Sequence, residues 1–240
     1  METRPYRKLS SGEMEDFGKR ILYEDNHILI VNKRPGEIVQ GDKTGDEPLG
    51  ELCKAYIAQR DGKPGRVFVG IPHRLDRPVS GAVILAKTSK ALERLAGMFR
   101  TGDVHKTYWA LSCAAPEREE GELEDYLVRN GKMNKSFVAG KDAKDAKLAR
   151  LTYSLLGKPR NSWLLEVKLL TGRHHQIRCQ LSHMGCVIKG DLKYGAPRSN
   201  PDGGICLHER KIEFIHPVRK TAVSVTAPVP ESWKGVAEGI

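Results

Sequence analysis

The order of the apolar runs is what most constrains the fold of this chain. Strand-like and helix-like stretches are interspersed without the regular strand–helix alternation that builds a parallel sheet. ILYEDNHILIVNK (residues 21–33) reads as two short strands about a polar turn, and Pro35 and Gly36 then break the pattern. RVFVGIP (66–72), GAVILAK (81–87), VHKTYWALSCAA (104–115), residues 150–156, residues 162–170, RKIEFIH (210–216) and AVSVTAP (222–228) read as further strands. Residues 48–60 can form a helix. Thr88 or Ser89 can cap a second helix running to about Arg100, with Leu92, Leu95, Ala96 and Phe99 on one face and Gly102 ending it. RHHQIRCQLSHMG (173–185) reads as a third helix. These elements predict an α+β fold with a mixed, largely antiparallel central sheet and flanking helices. Residues 118–149 are dominated by charged residues, glycine and alanine, and KDAKDAK within them is expected at an exposed hairpin tip or loop. Residues 1–20 read as a polar, partly mobile N-terminal segment, and residues 21–240 as one domain without internal repeat or linker.

Composition narrows the function classes. With 39% hydrophobic and 29% charged residues the chain is neither a disordered tail nor short of core material. No apolar run approaches bilayer length, and the N-terminus lacks the apolar stretch of a secretory signal. Five cysteines, an odd count without any C-x-x-C, argue against a disulfide framework or zinc ribbon and fit a reducing cytoplasm. A net charge of +10 favours a polyanionic partner, nucleic acid before anionic membrane, and no basic amphipathic helix supports the membrane.

Three stretches carry chemistry. In HRLDRPVSG (73–81), Asp76 sits between Arg74 and Arg77, and Pro78 and Gly81 suggest a constrained bend that holds the carboxylate by backbone. Most such pairs are solvated turn residues of little energetic weight. A carboxylate so placed can also be a nucleophile, a general base or a metal ligand, and arginine neighbours favour the ionised, metal-free form. In TGRHHQIRCQLSHMGCVIKGDLKYG (171–195), a helical reading makes His174 and Arg178 i and i+4 neighbours, with Arg173 at the helix start. Both arginines could equally lie on a solvated face. His174, His175 and His183 fit polar surface or satisfied core better than a metal site, because H-E-x-x-H spacing is absent. In HKTYWAL (105–111), alternation puts Lys106 and Tyr108 on one strand face. Tyr108 is either a core aromatic with a satisfied hydroxyl or a ring that stacks on a nucleobase.

In this order the stretches resemble the RluA family of pseudouridine synthases. His73–Gly81 matches H-R-L-D-x-x-[ST]-S-G except at Val79. Gly172–Gly195 matches G-R-x-H-Q-[IL]-R…G-D-x-x-Y-G, Lys106–Ala110 matches K-x-Y-x-A, and Leu207–Pro217 matches the late L-H…H-P pattern. Asn32-Lys33-Arg34-Pro35-Gly36 departs from the usual N-K-P-A-G, and Gln40 and Gln180 stand where His is common. The resemblance covers roughly residues 21–228. It implies the pseudouridine synthase fold with a catalytic cleft, and an isomerase acting on a uridine of ribosomal or transfer RNA. It implies a short form, since too few residues precede Ile21 for the small RNA-binding domain of many relatives. By the same resemblance Asp76 is the nucleophile that detaches uracil from ribose, and Arg178 is its ion-pair partner. Tyr108 packs on the target base and helps remove the carbon 5 proton, and Arg74 enters the stack when the nucleotide flips out. Arg74, Arg77, Lys106, Arg173, His174, Gln176 and Lys33 form the expected RNA-contacting set. No cofactor and no metal are implied, and a monomer is expected. Two rivals stand beside this reading: a non-catalytic RNA-binding protein that kept the fold, and a metal-dependent nuclease using Asp76, Asp191 and nearby histidines, which activity in a chelator would separate.

Overall fold

In the computed structural model, which describes residues 6–233, 235 and 236, ten strands form one mixed sheet. They are β1 (Ile21–Glu24), β2 (Ile28–Lys33), β3 (Ser80–Ala86), β4 (His105–Ser112), β5 (Glu120–Asn130), β6 (Lys135–Ala139), β7 (Lys147–Gly157), β8 (Trp163–Leu169), β9 (Leu207–Ile215) and β10 (Ala222–Thr226). The described helices are α1 (Ser11–Lys19), α2 (Leu49–Arg60), α3 (Ser89–Thr101) and α4 (Gln176–His183). None of them is long and apolar enough to cross a membrane. The strand order is β1-β2-β3-β9-β4-β8-β7-β5-β6, with β10 also on β9. Every pairing is antiparallel except β3 with β9, where Ser80 faces His208 and Gly81 faces Glu209. The sheet is therefore mixed and largely antiparallel, as expected from the run order.

Residues of alternate parity go to opposite faces. Leu29, Val31, Val83 and Leu85 join one core with α1 and α2, while Ile28, Ile30, Ile84 and Ala86 join a second core under α3. Both faces of β3 are covered, so its whole run SGAVILA is buried. Helix α3 starts at Thr88, whose side chain accepts from the Ala91 amide, and ends at Gly102 in the left-handed region.

Three expectations change, and the charged stretch 118–149 adds two strands to the sheet while most of its KDAKDAK lies in an exposed loop as expected. Residues 6–20 are not a polar segment apart from the domain, residues 1–5 of that expectation lying outside the described residues: Ser10 and Glu13 form a capping box for α1. Phe17, 1% exposed, packs on Tyr56 with ring centroids 4.7 Å apart. Only a few apolar side chains anchor this helix, which is why its composition reads as polar. Residues 66–72 are not a strand. Gly70 bonds Ala86 in both directions, but the N–H and C=O of Val67 are satisfied by the Tyr6 hydroxyl instead of a ladder. The charged stretch 118–149 contains β5 and β6, whose alternating burial belongs to strands at the sheet's margin, and the loop 140–146 between β6 and β7 carries most of KDAKDAK. Finally, α4 begins only at Gln176. His175 takes φ 52°, ψ 26°, so His174 and Arg178 are not stacked on one helical face.

Gly81 is required where β3 meets β9. Its φ is +122°, and a Cβ there would collide with the backbone of Glu209. Gly81→Ala is expected to cost about 1–3 kcal/mol from the backbone conformation alone, with the collision added. A denaturant titration showing unchanged stability would contradict this.

Candidate active site

The bend 73–79 is pinned from several directions. His73 Nε2 accepts from the Ile84 amide at 2.8 Å, and its ring stacks on Phe99 at 4.4 Å. Burial pushes that imidazole down to about 3, so it is a neutral acceptor. Val79 N–H bonds the Asp76 carbonyl, Gly36 N–H bonds the Arg77 carbonyl, and Ile205 N–H bonds the Pro78 carbonyl. Lys33, only 1% exposed, donates from Nζ to the carbonyls of Arg34 (2.9 Å), Arg77 (3.0 Å) and Val79 (2.5 Å). Burial holds this ammonium down to about 7. Lys33 is thus corrected from an RNA contact to an internal tie: the three donors of one ammonium meet three loop carbonyls, and none is left for a phosphate.

The tie places Asp76 against α4. Arg178 Nη1 donates to Asp76 Oδ2 at 3.0 Å. The same guanidinium makes a two-pronged pair with Asp191, Nε to Oδ2 at 2.7 Å and Nη2 to Oδ1 at 2.8 Å. Arg178 is 5% and Asp191 1% exposed. Burial alone would lower the Arg178 guanidinium, but the Asp191 and Asp76 carboxylates more than reverse this and hold it charged. Both oxygens of Asp191 are committed to Arg178, which opposes the nuclease reading in which Asp191 ligates a cation.

His175 completes the frame. Burial pushes it down to about 3, so it is neutral at pH 7. Its Nε2 lies 3.1 Å from Arg178 Nη1, which can only donate. The imidazole proton therefore sits on Nδ1 and faces the Tyr194 hydroxyl at 3.1 Å. That hydroxyl accepts from Ser136 N–H at 2.8 Å and donates to Ser136 C=O. The 3.4 Å approach of His175 Nε2 to Asp76 is consequently no ion pair. The neutral ring instead orients Arg178.

Two cavities adjoin at Asp76. A slot of about 90 Å³ lies between Tyr108, Leu169, Ile177 and Leu207, beside Asp76 and Arg173. A wider cleft of about 470 Å³ is bordered by Arg74, Arg77, Arg129, Lys193 and His174. Arg74 lines both, is exposed, and has no hydrogen bond or ion pair among the described residues. Arg77 lines the cleft, with its guanidinium engaged by Asp46 at 2.6 Å and the Thr44 hydroxyl at 2.7 Å. Arg173 donates from Nε to the Leu148 carbonyl at 2.8 Å and is otherwise exposed. His174 bonds Ser136 and Asn134 and stacks on His175 at 3.8 Å. Lys106 lies over the Phe99 ring at 5.7 Å. Gln176 is corrected from an RNA contact. It is 3% exposed, its Oε1 accepts from Arg173 N–H and the Thr171 hydroxyl, and its Nε2 donates to the Arg150 carbonyl, so its amide braces the loop before α4. A separate cavity of about 500 Å³, away from Asp76, is lined by Glu24, Arg60 and Lys87, which already pair with one another.

Tyr108 is buried and donates its hydroxyl to Glu209 Oε2 at 2.5 Å. It is also among the residues that line the slot, so the core and the stacking readings of this residue are compatible. Sequence reasoning missed Glu209 and the orienting pair His175–Tyr194. The sole signal for Glu209 was its shared parity with the apolar Leu207 in LHERKIEF. Asp191 and Tyr194 lie in the matched G-D-x-x-Y-G pattern, but the one role the sequence suggested for Asp191 was that of a metal ligand.

The sequence matches the RNA pseudouridylate synthase family over residues 27–183. It is 30% identical over 230 residues to the ribosomal large subunit pseudouridine synthase D of Xanthomonas campestris, covering 90% of this chain and 68% of that protein. It is 29% identical over 246 residues to the ribosomal large subunit pseudouridine synthase C of Vibrio vulnificus, covering 100% of this chain and 74% of that protein. An uncharacterised RNA pseudouridine synthase of Bacillus subtilis is 30% identical over 223 residues, 92% of this chain and 72% of its own. In fold, the chain is similar to the solved human RNA pseudouridylate synthase domain containing 4. The TM-score is 0.77 with 22% identity, over 92% of each chain.

Proposed function

This chain belongs to the RluA family of RNA pseudouridine synthases, and on that premise we propose that it isomerises a uridine of large-subunit ribosomal RNA, with Asp76 as nucleophile and the target base flipped into the slot beside Tyr108. The observation that carries this reading is the position of Asp76 where the slot meets the basic cleft, its carboxylate held by Arg178. The ribosomal substrate is supported by the similarity to the ribosomal large subunit pseudouridine synthases of Xanthomonas campestris and Vibrio vulnificus.

The isomerisation breaks the bond from C1′ to N1, turns the uracil, and joins C1′ to carbon 5. Carbon 5 loses a proton and N1 gains one. No electrons are exchanged with a second reactant and no group is donated, so a carboxylate, a proton acceptor and a place to turn the base are sufficient chemistry. Leu169, Ile177 and the Tyr108 ring give the extruded base an apolar lining. The cleft with Arg74, Arg77 and His174, and Arg173 at the slot, supplies the phosphate contacts. Pseudouridine mapping in total RNA from cells with and without the protein tests the assignment. Loss of a pseudouridine in large-subunit ribosomal RNA is expected. Loss confined to transfer RNA would overturn the substrate, and no loss anywhere would overturn the activity.

Arg74, unpaired at the rim, is assigned to fill the gap that the flipped nucleotide leaves. Arg74→Ala is expected to slow single turnover on a structured RNA by roughly tenfold or more, since unstacking costs a few kcal/mol and about 1.4 kcal/mol is a factor of ten. A mismatch at the target should restore part of the rate, because the base is then already poorly stacked. Equal slowing on both RNAs would remove this role.

A further inference from the structure

Tyr108 and Glu209 are cross-strand partners in the β4–β9 ladder. The phenol–carboxyl bond of 2.5 Å lies fully inside the protein, with Glu209 0% exposed. The other carboxyl oxygen, Oε1, is buried without a hydrogen-bond partner among the described residues. From β4 the groups facing this carboxyl are Tyr108 itself and Lys106. From β3 the facing residue is Gly81, which carries no side chain and lets the Glu209 backbone approach closely. The flanking residues are engaged elsewhere, His208 with Ser80 at 2.8 Å and Arg210 over the Trp109 ring at 4.7 Å. Asp76 bears on the pair only through the Tyr108 phenol. A carboxyl in this position has one purpose-built contact, and that contact is a residue lining the base slot.

We propose that Glu209 is the positioning residue for Tyr108 and takes the phenol proton while Tyr108 removes the proton from carbon 5 of the rejoined base. This rests on the reading of Asp76 and Tyr108 given above. In the step, the C5–H bond breaks and its electron pair returns to the ring, while N1 takes a proton from solvent. The carbon 5 proton goes to Tyr108 Oη, and the phenol's own proton passes along the 2.5 Å bond to Glu209 Oε2. Once the product leaves, the relay runs in reverse: Glu209 returns its proton to the Tyr108 hydroxyl, whose own proton passes to water entering the slot. Burial, with the Glu209 charge beside it, holds the Tyr108 phenol protonated far above the ordinary range, so a free phenolate is not available as the base. The relay removes that difficulty, because the phenol stays neutral throughout. Burial also pushes Glu209 up to about 7, against the pull of Lys106 and of the phenol, which gives it proton affinity suited to an acceptor near neutral pH.

The test is single-turnover tritium release from RNA carrying C5-tritiated uridine, followed from about pH 5.5 to 9 for wild type, Glu209→Gln, Tyr108→Phe and the double variant. The wild-type rate should rise with pH through about 7 and then level, because only the carboxylate can accept. Glu209→Gln still accepts the phenol hydrogen bond but cannot take the proton. It should be roughly tenfold or more slower above pH 7, lose the rise, and keep its affinity for RNA. On a Tyr108→Phe background it should add nothing. A Glu209→Gln enzyme with the wild-type rate or an unchanged rise overturns the proposal, as does a full extra loss on the Tyr108→Phe background. Should Glu209→Gln not fold, a wild-type profile flat across neutral pH is by itself sufficient to overturn it. Absence of tritium release from wild type at every pH would instead refute the pseudouridine synthase reading, and the relay with it.

Discussion

Asp76→Asn is expected to abolish tritium release from C5-labelled uridine RNA, on the order of 10⁴-fold or more, while the protein stays folded and still binds RNA. The amide is nearly isosteric with the carboxylate and can still accept from Arg178, but it carries no charge with which to attack carbon. The structure explains why folding should survive. Asp76 is only partly buried, and Arg178 keeps its two-pronged pair with Asp191 when Asp76 is gone, so no charge is stranded. Thermal unfolding and RNA affinity near those of wild type should accompany the loss of turnover. Turnover close to wild type would end the assignment of Asp76.

Arg178→Met should damage both chemistry and stability. The bond to Asp76 taken by itself would predict damage to the chemical step with modest loss of binding. The buried partner changes that expectation, because methionine leaves Asp191 charged, 1% exposed and unpaired. Stranding one member of a buried pair costs about 3–5 kcal/mol. Arg178→Met combined with Asp191→Leu removes both charges, and denaturant titration should show most of the stability restored. Tritium release should remain lost, since Asp76 still lacks its partner. Recovery of turnover in the double variant would reduce Arg178 to a structural role. Arg178→Lys is not expected to rescue either property, because one ammonium cannot span both Asp191 oxygens and also reach Asp76.

Part of the site was legible because its signals are local. Pro78 and Gly81 marked the bend that carries Asp76, and the apolar run behind it marked β3. Arg178 could be named from the resemblance, but its geometry could not be read: a continuous helix through 173–185 would have stacked His174 beside it, whereas His175 in the left-handed region starts α4 later. Lys33 and Gln176 misled for a shared reason. A polar side chain among other polar residues reads as surface, yet each is buried here and consumed by backbone groups of a neighbouring loop.

By itself the sequence determined most of the strands and two of the helices, through residue parity, caps and turns, and through its motifs the family. Which side chains meet was decided only by the tertiary structure. Asp76 and Arg178 are 102 residues apart, and Tyr108 and Glu209 are 101 apart. The strand order sets β9 between β3 and β4, which brings Glu209 to Tyr108, and the packing of α4 brings Arg178 to the Asp76 bend. Burial then gives the contacts their chemistry, because it is the exclusion of water at Glu209, Tyr108 and His175 that sets which of them carries a proton at neutral pH, and no short stretch of sequence specifies how much water its partners will exclude.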